Sequence, residues 1–250
     1  MPTWRRDNYR LVVKKHGAMK VDATVYCSPD MDIEPDALKQ LEHVAAIPSI
    51  EVALATPDIH VGYGAPIGTV AALKDFVCPA AVGYDINCGM RLLSTPLVAA
   101  HTPVQRIADA ISRVIPLGEG KSGSVELASG QFRHILENGV RGLFDIAQGL
   151  GGVMAGWDRS QFDADIAAIE DQGSMQASSA KLSERSVVRG ISQLGTLGGG
   201  NHFIELQEVV ETPNEKAAAA FGLRVGALAV MVHSGSRGFG HQVGGEFMQL

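Results

Sequence analysis

The chain is short of cysteine, of charge and of long apolar runs, and each shortage closes a class of reading. Three cysteines, Cys27, Cys78 and Cys88, are too few and too odd in number for a disulfide framework, so a reducing cytoplasm is the expected compartment. Charged residues make up only 19%, with 21 Lys and Arg against 27 Asp and Glu and a formal net charge of -6. No basic surplus advertises nucleic-acid binding by the chain as a whole, and any contact with RNA or DNA has to come from local patches. No stretch approaches eighteen consecutive apolar residues, and the basic start around Arg5 and Arg6 is followed by no apolar signal segment. The expectation is an unsecreted protein with no membrane partner.

What is present in quantity is hydrophobic residues and glycine. A hydrophobic fraction of 46% over 250 residues suffices for a substantial core and excludes a disordered chain. Glycine supplies 29 of the 250 residues, against a usual share of about 7%, and has no collagen-like period. The sequence stops at Gly244-Gly245-Glu246-Phe247-Met248-Gln249-Leu250 with neither a polar tail nor a finished pattern, which points to a protein that continues further.

Leu11–Lys15 and Met19–Cys27 read as strands of a hairpin around His16-Gly17. Pro35 opens a helix whose Leu38, Leu41, Val44 and Ala45 share a face and which ends near Pro48. A second helix is expected with Thr102 as N-cap, Pro103 as first helical residue and Gln105 completing a capping box; Val104, Ile107, Ala108, Ile111 and Ile115 line one side and Pro116 stops it. Residues 117–131 read as loop, His134–Gln148 as a helix interrupted by glycines, and Asp163–Glu170 and Ala177–Ile191 as two more helices. His202–Val210 and Arg224–Val232 read as strands, the second apolar enough to be fully buried. Strands and helices come in runs, so one α+β domain over 1–250 is expected.

Four glycine-bearing segments carry the chemistry. In Asp58-Ile59-His60-Val61-Gly62-Tyr63-Gly64, Asp58 and His60 could support a site, but a tight turn before a buried strand explains the segment as well. In Gly83-Tyr84-Asp85-Ile86-Asn87-Cys88-Gly89, a turn would point Asp85 and Cys88 the same way. Carboxylate and thiolate so placed suit a divalent metal, and a thiolate can bridge two; a buried free cysteine is the bland alternative. Gly198-Gly199-Gly200-Asn201-His202 sets three residues of high entropic cost before a polar pair, a pattern suited to backbone amides reaching a phosphate or a metal-bound ligand, or else to a flexible loop. In His233-Ser234-Gly235-Ser236-Arg237-Gly238 a strand ends in histidine and opens into a loop with hydroxyls and a guanidinium suited to phosphate, although Arg237, like Arg91 and the Arg5-Arg6 pair, reads equally as an ordinary solvated charge. Asp85, Cys88, His202 and His233 together make a plausible mixed O, S and N metal site.

Taken in order, Asp-Ile-His-Val-Gly-Tyr-Gly, Gly-Tyr-Asp-Ile-Asn-Cys-Gly, Gly-Thr-Leu-Gly-Gly-Gly-Asn-His-Phe-Ile-Glu and His-Ser-Gly-Ser-Arg-Gly-Phe-Gly-His resemble the RtcB family of RNA-splicing ligases. The resemblance implies a single RtcB-like α+β domain with antiparallel or mixed sheets and surrounding helices. It implies an activity joining RNA 3'-phosphate or 2',3'-cyclic phosphate ends to 5'-hydroxyl ends with GTP and two manganese ions, in tRNA splicing or RNA repair. The partners it implies are tRNA halves or broken RNA ends, with the need for an activating protein left open. Cys88 resembles the cysteine that bridges the two ions, with Asp85 and His202 on one ion and His233 on the other. Asn201, His202, Phe203, Ile204 and Glu205 match the family's guanine-nucleotide segment. If 202–205 were a regular strand, His202 and Glu205 would face opposite sides, so a turn is needed there if both reach the site. The histidine that takes GMP in this family is expected after Leu250, since His101, His134 and His241 stand in no matching motif. A metal-dependent RNA-end phosphoesterase and an inactive metal- or RNA-binding fragment are the alternatives.

Overall fold

The computed structural model describes residues 3–78, 81, 83–118, 125–147 and 158–248. Val82, residues 119–124 of the expected loop and Gln148 at the end of the expected helix lie outside the described residues. The chain divides into two compact units, Met1–Gly83 and Tyr84–Leu250. Both are mixed α and β, as the run-wise pattern of the sequence requires.

The first unit is a five-stranded sheet in sequential order, β1 (Thr3–Asp7), β2 (Arg10–Val13), β3 (Ala23–Tyr26), β4 (Ile50–His60) and β5 (Ile67–Leu73). The expected hairpin is β2–β3, with Val13 opposite Ala23, but its connection is longer than a turn at His16-Gly17. Helix α1 (Pro35–Ala45) carries the chain from β3 to the parallel strand β4, and Pro35 occupies its first turn as expected. Small residues explain the close packing: Ala23 and Ala55 are fully buried and Ala53 nearly so, leaving room for Leu41 and Val25, which are also fully buried. Pro57 lies in the irregular stretch of β4 between Ala55 and His60, where its missing N–H costs no ladder bond.

The second unit is built on a three-stranded antiparallel sheet ordered β6 (Gly89–Val98), β8 (Ala227–Ser234), β7 (Phe203–Glu208). Ala227, Leu228 and Ala229 of the central strand are buried, but Val230, Met231 and Val232 are only half-buried, so the expectation of full burial holds for its first half alone. Around the sheet run α2 (Val104–Val114), α3 (Ser129–Ala147), α4 (Arg159–Ala168), α5 (Glu184–Ile191), α6 (Glu215–Ala220) and α7 (Arg237–Phe247).

Four helix starts differ from the sequence reading: α3 begins at Ser129, inside the expected loop and ahead of His134, α4 begins at Arg159 ahead of Asp163, and α2 and α5 differ as well. Pro103, not Thr102, is the N-cap of α2; Thr102 Oγ1 donates backward to the Val98 carbonyl at 2.7 Å, and Gln105 donates along the helix to Asp109 at 2.8 Å. The Thr102 hydroxyl is turned back toward Val98, and this helix start makes no side-chain cap bond. The helix expected from Ala177 begins at Glu184, where Ser183 Oγ accepts from the Ser186 amide at 3.1 Å, a better cap than anything upstream. Helix α3 breaks at Gly139, which adopts φ 61.

Helices α5 and α7 are tied together chemically. Glu246 of α7 accepts from Ser183 Oγ at 2.7 Å, from Ser186 Oγ at 3.0 Å and from Gln242 at 2.8 Å. Beside this clamp, Val187 is fully buried and Phe132 meets Phe239 edge-on at 5.4 Å. The clamp fixes α7, whose first residue follows directly on the loop described next.

Candidate metal centre

Three strand ends converge within the second unit. Leading into β6, residues 85–88 form a tight turn closed by the Cys88 amide donating to the Asp85 carbonyl at 2.9 Å, with Asn87 at φ 61, the left-handed value that asparagine tolerates better than most residues. At the far end of β8, His233 is 2% exposed and pairs in register with Phe203 on one side and Met90 on the other. Leading into β7 stands His202, whose side chain is 5% exposed.

These ends bring together the four residues that the sequence nominated for metal. Cys88 Sγ lies 3.5 Å from His202 Nε2 and 3.2 Å from His233 Nε2, and Asp85 Oδ2 lies 2.8 Å from His202 Nε2. The ligand atoms of Cys88, His202 and His233 all fall within 4.8 Å of one another. With metal–sulfur bonds of about 2.3 Å and metal–nitrogen bonds of about 2.0 Å, two ligands on one ion sit roughly 3.5 Å apart. The observed spacings therefore fit a divalent ion, and soft thiolate with imidazole and carboxylate suits manganese or zinc better than magnesium.

His202 is oriented from behind. Its Nδ1 donates to the Leu197 carbonyl at 3.1 Å, and since a carbonyl can only accept, Nδ1 carries the hydrogen and Nε2 turns toward Asp85 and Cys88. The same carbonyl accepts from Ser234 Oγ at 2.8 Å, which ties the glycine loop to the end of β8. Leu197 and Gly198 are held in turn by their amides donating to the Pro116 and Leu117 carbonyls, both at 2.9 Å. Gly198 adopts φ 109, and a Cβ on it would overlap both His202 Nδ1 and Arg237 Nη1. The glycine is thus needed for close approach to the ring as well as for its backbone angle.

The loop after β8 departs from the sequence reading. Its hydroxyls, read as phosphate ligands, are already engaged: Ser234 on Leu197, and Ser236 Oγ on Asp85 Oδ1 at 3.1 Å. Arg237 is not in an open loop but starts α7, and its Nη2 donates to the Leu117 carbonyl at 3.4 Å. An open pocket of about 310 Å³ adjoins the centre, lined by Asp85, Asn201, His202, Arg237 and also Tyr84 and His241. The last two meet with ring centroids 4.9 Å apart and planes tilted at 55°; a histidine four residues beyond Arg237 on the same helix is the only local signal for the pairing.

The rest of the expected nucleotide segment is divided by the strand. Strand β7 starts at Phe203, which leaves His202 just ahead of the strand and Glu205 within it. Phe203 packs edge-on against His233 at 5.3 Å, and Glu205, on the same face, is exposed and accepts from Gln207 at 2.8 Å. Ile204 points to the other face, into an apolar groove of about 560 Å³ shared with Val104, Ala108 and Ile111 of α2. Asp58 and His60 belong to the first unit, where His60 Nδ1 meets the Asp58 carbonyl at 2.8 Å within the irregular end of β4; they lie in a strand rather than a turn, and β5 after them is not buried as expected.

The model of the family described as tRNA-splicing ligase RtcB matches residues 40–250. The tRNA-splicing ligase RtcB of Archaeoglobus fulgidus is 37% identical, over 93% of this chain and 48% of that protein. That of Pyrobaculum aerophilum is 40% identical over 85% of this chain and 43% of its own length, and RNA-splicing ligase RtcB homolog 1 of Entamoeba histolytica is 35% identical over 100% and 50%. The chain spans about half the length of the curated relatives it matches.

Proposed function

This chain belongs to the RtcB family, and from that premise we propose that it supplies the metal-holding part of a GTP- and manganese-dependent RNA ligase. The reaction joins RNA 3'-phosphate or 2',3'-cyclic phosphate ends to 5'-hydroxyl ends, in tRNA splicing or RNA repair. The observation that carries the reading is the place of Cys88 Sγ between His202 and His233, at 3.5 and 3.2 Å. A thiolate there can serve two ions, with His202 and Asp85 on one side and His233 on the other. Manganese, when bound, neutralises phosphate charge and orients an in-line displacement. The chain's own residues hold and aim it: Leu197 sets the His202 ring, Phe203 packs against His233, and Ser236 fixes Asp85.

Asn201 and His202 line the pocket beside the centre and are proposed to meet the nucleotide there, with Phe203, Ile204 and Glu205 completing the matched segment. No histidine of this chain is assigned as the GMP acceptor. The family match runs across both compact units, which supports reading 1–250 as one RtcB-like domain. Among the described residues no helix is long and apolar enough to cross a membrane.

The test is manganese binding by calorimetry to the native chain and to Cys88→Ala. Loss of a directly bound thiolate should cost more than the roughly 10–100-fold that removal of an outer partner costs. Manganese affinity unchanged in Cys88→Ala would sink the assignment. Incubation with labelled GTP and manganese then reports whether the chain as it stands forms a covalent adduct.

A further inference from the structure

Asp85 has its two carboxylate oxygens assigned to different partners. Oδ2 lies 2.8 Å from His202 Nε2, while Oδ1 accepts from Ser236 Oγ at 3.1 Å. The carboxylate occupies the space that a side chain at position 235 would fill, since a Cβ there would lie 2.6 Å from Oδ2 and 2.8 Å from both Cγ and Oδ1. The carboxylate is pressed flat against the Gly235 backbone. Ser236 is confined as well: its amide donates to the Ile86 carbonyl at 3.2 Å, within the turn that carries Asp85. Behind it stands Gly240, where a Cβ would overlap Ser236 Oγ and come within 2.8 Å of its Cβ.

We propose that Ser236 is a positioning residue that confines Asp85 to ligation through one oxygen and thereby sets the class of ion the centre accepts. The inference rests on the metal reading above. A hard cation such as calcium takes six to eight oxygen ligands and can draw on both oxygens of one carboxylate to reach that number, whereas an ion held by thiolate and imidazole needs only one carboxylate oxygen. With Oδ1 retained by the serine hydroxyl, the second oxygen is withheld from the ion. Ser236 therefore acts through Asp85 and does not itself need to touch metal or RNA.

The experiment is a competition of manganese and calcium on the native chain and on Ser236→Ala, with cobalt absorption as the reporter of Cys88 ligation. The thiolate-to-cobalt band is expected in both proteins, and the preference for manganese over calcium should fall by about tenfold or more in Ser236→Ala, the scale on which outer partners act. An unchanged preference with the band intact overturns the role of Ser236 and leaves the metal reading standing. Absence of the band from the native chain overturns both. A measurement on the native protein covers failure of the variant to fold: the infrared difference spectrum, metal-loaded minus metal-free, with 13C-labelled aspartate and Asp85→Asn to identify the signal. A splitting of the two carboxylate stretches wider than in free aspartate supports one-oxygen binding; a narrower splitting overturns it.

Discussion

Replacing Gly198 by alanine strikes the centre without removing any ligand. The native backbone holds φ 109 there, and a methyl group would overlap His202 Nδ1 and Arg237 Nη1. Holding a non-glycine residue at such an angle costs about 1–3 kcal/mol. Relief of the overlap must move the imidazole away from the Leu197 carbonyl, and a buried hydrogen bond lost in this way costs about 1–3 kcal/mol more. The sum of about 2–6 kcal/mol corresponds to a fall in melting temperature of roughly 5–20 °C for a chain of this size. Because His202 loses the partner that aims Nε2, manganese affinity should also drop by about 10–100-fold. Differential scanning calorimetry and isothermal titration read the two effects separately. Gly200→Ala is the control: it has φ 74 but nothing within 4 Å of the added carbon, so it carries strain of about 1–2 kcal/mol and leaves metal affinity alone. If the two variants lose metal affinity equally, the argument that Gly198 is present for close approach to His202 is wrong.

Two further outcomes are expected. Leu41→Ala, at a fully buried position under the first sheet, should destabilise that unit by about 2–5 kcal/mol in urea unfolding, and a cost under about 1 kcal/mol would mean the cavity collapses or the helix packs elsewhere. The Glu246 carboxyl is held below the usual glutamate range chiefly by the Ser183 hydroxyl, then by the Gln242 amide and the Ser186 hydroxyl. A depressed folded-state pKa means that this stabilisation is complete above the unfolded-state value and is lost as pH falls through the folded one. The stability difference between native chain and Glu246→Gln should therefore be constant near neutrality and shrink in the acid range; a difference independent of pH would refute the clamp.

The four ligands were legible because their types are chemically unusual together: a carboxylate three residues before a thiol, and two histidines each beside glycine-rich sequence. Helix α1 was legible for another reason, since its apolar spacing and Pro35 are local signals that packing did not override. The start of α2 is not legible locally, because the Thr102 side chain can turn toward the helix amides or back toward the Val98 carbonyl, and only the tertiary position of that carbonyl decides. The long strand β4 escaped notice because Pro57 and Asp58 look like turn residues, whereas the irregular stretch of the ladder accommodates them.

By itself, the sequence determined which side chains could hold a metal, that they belong with glycine loops, and the family whose motifs they share. It could not determine their convergence: Cys88 and His233 are 145 positions apart, and only the register that pairs β6 with β8 and β8 with β7 brings the three strand ends to one place. Tertiary structure alone also decided what the serines do. A hydroxyl in a Ser-Gly-Ser loop is chemically free to serve phosphate, and it was the 3.1 Å approach of Ser236 to Asp85 and the 2.8 Å approach of Ser234 to Leu197 that made both of them supports for the ligands instead. Residue type fixes what a group can bond, but distance fixes which bond it makes.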